Sequence, residues 1–232
     1  MRYYLLTPFL FFFSAFISKA QFSEPVKISP ISDDIFSSAP GDFDGDGDLD
    51  IIASSIEDGR VVWYENDGNG NFNNHHIILE TPEAVRPIMT GDYNLDGYSD
   101  FVIGSHGSGD PNTRLFTNTG TGGFSIDTLN PQPGFDEIRE QYTWDMNRDG
   151  LPDIVLFQNN PDRLCWIENS GNGQLNISHN ITIPLNTSYN SMHDINGDSL
   201  MDFFFLGDNE QIQYLVNDSA GYIFHEDTLP HD

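Results

Sequence analysis

A nine-residue acidic segment occurs four times in this chain, and few folds accommodate such a pattern. Asp42-Phe-Asp44-Gly-Asp46-Gly-Asp48-Leu-Asp50 returns as Asp92-Tyr-Asn94-Leu-Asp96-Gly-Tyr98-Ser-Asp100. It appears again as Asp145-Met-Asn147-Arg-Asp149-Gly-Leu151-Pro-Asp153 and as Asp194-Ile-Asn196-Gly-Asp198-Ser-Leu200-Met-Asp202, at intervals of about 50 residues. Repetition at this period marks stacked units, none of which can bury its apolar face alone. Each copy leads into an apolar run: IIAS, FVIGS, IVLF and FFFLG. A second run then ends in Asn66, Asn118, Asn169 or Asn217, with Gly70, Gly122, Gly173 or Gly221 four residues on. A third short run follows.

Short β-branched and aromatic runs bounded by Gly, Asn and Asp are strand-and-turn text. One more strand before each acidic segment, such as Val85 to Thr90, gives four antiparallel strands per unit. Units of that size and strand count are propeller blades. The expected fold class is therefore all-β, a β-propeller of four-stranded antiparallel blades. Phe135 to Tyr142 is the one stretch with helical spacing, expected as a turn of helix in a loop. Phe22 to Ile28 reads as the last strand of a blade, starting like the runs at Phe72, Phe124 and Phe224. The fourth repeat already has such a strand, Ile223 to Leu229, so one strand is surplus. Two arrangements stay open: a closed four-blade ring, or an incomplete arc prone to self-association through its exposed edges.

Charge narrows the function. The 232 residues carry 36 Asp+Glu against 9 Lys+Arg, a formal net charge of −27. Electrostatic binding to nucleic acid or to an anionic membrane is excluded. With 38% hydrophobic and 13% aromatic residues, the chain can build a core and is not a disordered acidic tail. Cys165 is the single cysteine, which excludes an internal disulfide framework and a multi-cysteine metal site. Residues 1–20 read as a signal peptide: Arg2, an apolar stretch from Leu5 to Ile17, and a small-residue end at Ala20. That stretch falls short of the roughly 20 residues a membrane span needs, and Pro8 interrupts it. Residues 21–232 are expected as the propeller domain, exported to the periplasm, the cell surface or the medium. Sequons at Asn176, Asn180, Asn186 and Asn217 matter only in a host that glycosylates asparagine.

The D-x-[DN]-x-D-G-x-x-D unit followed by an apolar strand and W-x-E-N-x-G-x-G-x-F resembles the FG-GAP/VCBS repeat family. These are the calcium-binding propeller blades also seen in the integrin α-subunit head. The resemblance covers roughly residues 22–229 and implies up to four Ca²⁺, each in the loop between a blade's first and second strands. Calcium takes six to eight oxygens, which a tight loop offers from alternate positions, with glycine at the sixth to allow the turn. The ligand set expected is Asp42, Asp44, Asp46, the Asp48 carbonyl and Asp50 in the first loop, and Asp92, Asn94, Asp96, the Tyr98 carbonyl and Asp100 in the second. The third offers Asp145, Asn147, Asp149, the Leu151 carbonyl and Asp153, and the fourth Asp194, Asn196, Asp198, the Leu200 carbonyl and Asp202. An EF-hand shares the first positions but needs a glutamate at the twelfth, where Ala53, Ile103, Leu156 and Phe205 stand inside strand-like runs. Ser199 replaces the turn glycine and makes the fourth loop the weakest.

The remaining residues suggest structure more than chemistry. Trp63, Leu115, Trp166 and Tyr214 share one repeat position and are expected in the core, with Cys165 as a buried inert thiol. His75, His76 and His193 are expected at the surface. No catalytic motif stands out, so no enzyme activity is expected. The loops His106 to Thr113 and Asn130 to Gln141 are the expected recognition loops. The reading is an exported, calcium-binding propeller module for recognition or adhesion, with an unknown protein or glycan ligand. The alternatives are a lectin, a non-catalytic propeller part of a carbohydrate-active enzyme, or a truncated propeller fragment.

Overall fold

A computed structural model describes residues 24–28, 34–81, 84–106, 113–129, 138–158, 163–171, 175–181, 183, 187–207, 212–218 and 222–227. The expected signal peptide lies outside the described residues. The described chain is all-β. Blade 1 is the sheet β1 (Ile35–Gly41), β2 (Asp50–Ser55), β3 (Arg60–Glu65) and β4 (Asn74–Glu80), and blade 2 is β5 (Ala84–Gly91), β6 (Asp100–His106), β7 (Thr113–Asn118) and β8 (Phe124–Leu129). Blade 3 comprises β9 (Ile138–Trp144), β10 (Asp153–Gln158), β11 (Arg163–Asn169) and β12 (Leu175–Ile181). Blade 4 comprises β13 (Thr187–His193), β14 (Asp202–Gly207), β15 (Ile212–Asn217) and β16 (Tyr222–Asp227). Each blade is an antiparallel meander, with neighbours in chain order paired.

In blades 2 and 3 the apolar run is continuous because the second strand is covered on both faces by neighbouring blades. Every residue of β10 is buried, whereas β4 and β8 at the blade edges are largely exposed. Side chains alternate along a strand, so one strand feeds two cores. In β6, Phe101 and Ile103 face blade 1, in one cluster with Phe43, Ile52 and Trp63. Val102, between them, belongs to the cluster shared with Ile154, Leu156 and Ile167 of blade 3. A third core joins Met146, Val155 and Phe157 of blade 3 to Phe203, Phe205 and Leu215 of blade 4. The first strands line up in the same order, β1 beside β5 and β5 beside β9. Packing thus runs from blade 1 to 2, 2 to 3 and 3 to 4; among the described residues no core joins blade 4 to blade 1.

Two expectations change. Residues 138–142, expected as helical, belong to strand β9, where Gln141 pairs with Leu156 and sends its side-chain amide to the Val102 carbonyl at 2.8 Å. Burial in a sheet overrides a short helical pattern, and the loop expected up to Gln141 is correspondingly shorter. Residues 24–28 form no strand. Val26, Lys27 and Ile28 instead line a cavity of about 420 Å³ with residues from Gly70 to His75 beside blade 1.

Candidate metal centre

The acidic segments are the loops that join each blade's first strand to its second, and each coils around its own carboxylates. With the nine residues numbered 1 to 9, the first aspartate accepts two loop amides in every copy. Asp42 takes Gly45 N at 2.7 Å and Gly47 N at 3.1 Å, and Asp194 takes Gly197 N at 2.7 Å and Ser199 N at 2.8 Å. Asp92 holds the amides of Asp96 and Gly97 at 3.0 and 2.9 Å; Asp145 holds those of Asp149 and Gly150 at 3.1 and 2.8 Å. Position 5 accepts the amide of position 7: Asp46 from Asp48, Asp96 from Tyr98, Asp149 from Leu151, and Asp198 from Leu200.

Such tight coiling drives two residues per loop into the left-handed region. At position 6 these are Gly47, Gly97, Gly150 and Ser199, the last with φ of 67°. Position 4 is equally demanding, with Gly45, Leu95 (58°), Arg148 (62°) and Gly197 there. The first loop alone has glycine at both. The other three each hold one L side chain in a conformation costing about 1 kcal/mol. Ser199 therefore does not set the fourth loop apart, because Leu95 and Arg148 impose the same kind of cost on the second and third.

In the first loop one carboxylate oxygen from each of Asp42, Asp44 and Asp46 lies within 4.8 Å of the others. Burial, reinforced by the neighbouring Asp46 charge, raises the Asp44 carboxyl above its ordinary value even though the Asp46 amide opposes this. In the other loops asparagine relieves the crowding. Asn94, Asn147 and Asn196 donate Nδ2 to Asp96, Asp149 and Asp198 at 2.9, 3.0 and 2.9 Å. The donor set is oxygen throughout and fits a hard divalent cation such as calcium.

The ninth residue of each loop has a second task. Asp50, Asp100, Asp153 and Asp202 are fully buried. One oxygen of each accepts the amide of position 2, at 3.2 Å from Phe43, 2.9 Å from Tyr93, 2.8 Å from Met146 and 2.9 Å from Ile195. The other accepts the amide of the asparagine ending the third strand, at 2.8 Å from Asn66, 2.7 Å from Asn118, and 2.8 Å from both Asn169 and Asn217. The carboxylate thus ties the loop's start to the third strand. Burial pushes Asp100 and Asp153 up to about 6, against the opposing pull of these amides, and Asp50 is raised for the same reason. A cation beside these carboxylates would act in the opposite sense.

The recurrent asparagine links blades. Asn118 Nδ2 donates to the Phe43 carbonyl of blade 1 at 2.7 Å, and Asn169 Nδ2 to the Tyr93 carbonyl of blade 2 at 2.8 Å. Sequence reasoning noted the repetition of this residue without assigning it a task; four copies at the same place were the available signal. Position 7 closes over the turn that follows the asparagine. Tyr98 lies where a Cβ on Gly120 would come within 2.8 Å of its ring, and a Cβ on Gly45 of blade 1 within 2.4 Å. A side chain at either place would have to displace the Tyr98 ring and adopt a positive φ.

Trp63 and Leu115 are buried, as expected, while Trp166 and Tyr214 are half-buried. Cys165 is fully buried and its thiol is pushed up to about 12 by that burial, as expected of an inert side chain. His75 and His193 are exposed. His76, also exposed, lies tilted against Trp63 at a ring separation of 4.5 Å and meets Glu65 at 3.0 Å; His179 stacks on Trp166 at 4.2 Å and meets Glu168 at 2.9 Å. Asn217 is buried, so its sequon is inaccessible in the folded chain, whereas Asn180 is exposed. Residues 107–112 and 130–137 of the expected recognition loops lie outside the described residues.

The blade architecture has known relatives. A solved structure described as the basis of specific recognition of non-reducing terminal N-acetylglucosamine by an Agrocybe aegerita lectin is similar, with a TM-score of 0.58 at 18% identity. The likeness covers 81% of this chain and 50% of the lectin chain, so it spans half of that structure's length. No curated protein matches the chain in sequence. Residues 42–103 and 145–205, each holding two acidic loops and together more than half of the sequence, match the FG-GAP-like repeat, and the chain belongs to that family.

Proposed function

We propose that this chain is an exported, calcium-stabilised propeller module that recognises a protein or glycan and performs no chemistry of its own. The observation carrying the reading is the clustering of the Asp42, Asp44 and Asp46 carboxylates in a loop whose residue pattern recurs in all four blades. Positions 1, 3 and 5, the carbonyl of position 7 and the carboxylate of position 9 would hold the ion in each loop. Calcium there supplies positive charge that offsets the mutual repulsion of the carboxylates. The residues themselves do the positioning: position 1 gathers the loop amides, and position 9 fastens the loop to the third strand. Loop 1, with aspartate where the others have asparagine, takes the ion most tightly.

A glycan is the first ligand class to test, because the lectin shares the blade architecture. The alternative within this reading is a protein ligand in an adhesive contact. Equilibrium dialysis of chelator-stripped protein against calcium tests the metal, with binding of more than one ion per chain expected and no binding contradicting it. A glycan array that includes N-acetylglucosamine, probed in calcium, tests the ligand class. Saturable binding favours a glycan; a blank array favours a protein ligand. Release of sugar from an array glycan would contradict the absence of catalysis.

A further inference from the structure

The cavity beside blade 1 differs in charge from the rest of this acidic chain. It lies between segment 24–28 and the turn leading into β4, and its volume of about 420 Å³ is that of a small-ligand site. None of its lining residues is acidic, although the chain carries 36 Asp+Glu. It is lined instead by Lys27, the single lysine beyond residue 20, together with Asn73 and His75. All three are exposed, and their side chains make no hydrogen bond or ion pair among the described residues.

The turn is preorganised by its own hydrogen bonds. Asn66 Oδ1 accepts the amides of Gly68 and Gly70 at 3.2 and 3.0 Å. Asp67 accepts the amides of Asn69 and Asn71 at 2.9 and 3.2 Å and the Asn71 side-chain amide at 2.9 Å, so its charge is engaged within the turn. Phe72 follows, half-buried against the cluster of Ala53, Val62 and Tyr64, and lines the cavity with the rest of its ring. His75 pairs with Tyr64 across the strands, which sets it on the same face of the sheet. From segment 24–28, Val26 and Ile28 add apolar surface, and Val26 is 80% exposed. An apolar wall thus stands beside unengaged cationic and amide donors.

We propose that this cavity binds a uronic acid residue of an acidic saccharide. The C–H face of the sugar ring packs on Phe72 and Val26, its hydroxyls meet Asn73, and its carboxylate takes donors from Lys27 and His75. Charge-assisted bonds of this kind are stronger than neutral ones and select the charged sugar. The chain's net charge of −27 repels anions at long range, so selection is by contact and not by steering. The choice of a sugar rests on the recognition reading above; the choice of a carboxylate rests on the cavity alone.

Nuclear magnetic resonance titration of the isotope-labelled chain in calcium reads the site residue by residue. Glucuronate is the probe, glucose its uncharged counterpart, and N-acetylglycinate a carboxylate without the sugar ring. Saturable shifts at Phe72, Asn73 and His75 are expected with glucuronate, which should bind about tenfold or more tighter than either control. Lys27→Gln, at an exposed position, is expected to weaken that binding by about tenfold. No saturable shift at these residues, equal binding of glucose, or binding that survives Lys27→Gln unchanged overturns the site. Equal binding of N-acetylglycinate overturns the sugar assignment. Glucuronate that shifts only residues of other blades overturns this cavity while the glycan reading stands; a blank for every sugar, here and on the array, overturns both.

Discussion

Asn118, at the end of the third strand of blade 2, donates its side-chain amide to the Phe43 carbonyl of blade 1 at 2.7 Å. Both residues are buried, and Asn118 also holds Asp100 through its backbone amide at 2.7 Å. One residue thus joins an acidic loop, the strand that braces it and the neighbouring blade. Asn118→Ala leaves the buried Phe43 carbonyl unpaired and is expected to cost about 2 kcal/mol. Asn66→Ala, which breaks only contacts within blade 1, is expected to cost about half of that. Urea unfolding of the two variants checks the difference.

Phe43 sits edge-on to Trp63, Phe101 and Phe124 at ring separations of 6.0, 6.2 and 6.1 Å. Removing its ring opens the core between blades 1 and 2. Phe43→Ala is expected to destabilise by about 3–5 kcal/mol. The same change at exposed Ile195 is expected to leave stability within about 0.5 kcal/mol. Thermal unfolding of the pair provides the comparison.

Ser199 and Leu95 occupy left-handed conformations, and both are exposed. Ser199→Gly and Leu95→Gly are each expected to stabilise by about 0.5–1 kcal/mol, relief of strain exceeding the added freedom of the unfolded chain. Arg148→Gly should gain less, because Arg148 also donates to the Asp198 carbonyl across the third and fourth loops. Denaturant midpoints of the three variants test that order.

How far the sequence revealed the molecule depends on which residues recur. Four copies of the acidic segment pointed to the blades, and a shared repeat position pointed to the core at Trp63 and Leu115, with Cys165 in the same run as Trp166. Left-handed backbone at position 4 was hidden because Leu95 and Arg148 are residues that do not ordinarily favour it; only Gly45 and Gly197 hinted at the requirement. The bracing role of Asp50, Asp100, Asp153 and Asp202 was hidden for a different reason. A carboxylate that accepts amides looks the same in sequence as one that meets an ion. Strand β9 was obscured because Ile138 to Tyr142 has apolar spacing compatible with a helix, and only its pairing with β10 decides.

Burial pushes Asp100 and Asp153 from the ordinary 3.8 to about 6. Between those values the folded chain retains protons that the unfolded chain has released. Unfolding then releases protons, and stability falls as pH rises through this window. Metal-free protein is therefore expected to lose stability between about pH 4 and pH 7 on account of these two groups. With saturating calcium the carboxylates are held charged and the fall should flatten or reverse, so calcium stabilises more at pH 7 than at pH 5. Unfolding temperatures at both pH values, with calcium and with chelator, test this.

The most direct test of the account is thermal unfolding of chelator-stripped protein across a calcium titration at neutral pH. Binding to the folded state alone, at about 100 times the dissociation constant, stabilises by about 2.7 kcal/mol per independent site. The account predicts a cooperative transition whose midpoint climbs several degrees with calcium, and climbs less when Asp44→Asn and Asp46→Asn weaken the first loop. A transition that ignores calcium, in the wild type and the variant alike, would contradict the claim that the acidic loops are metal sites.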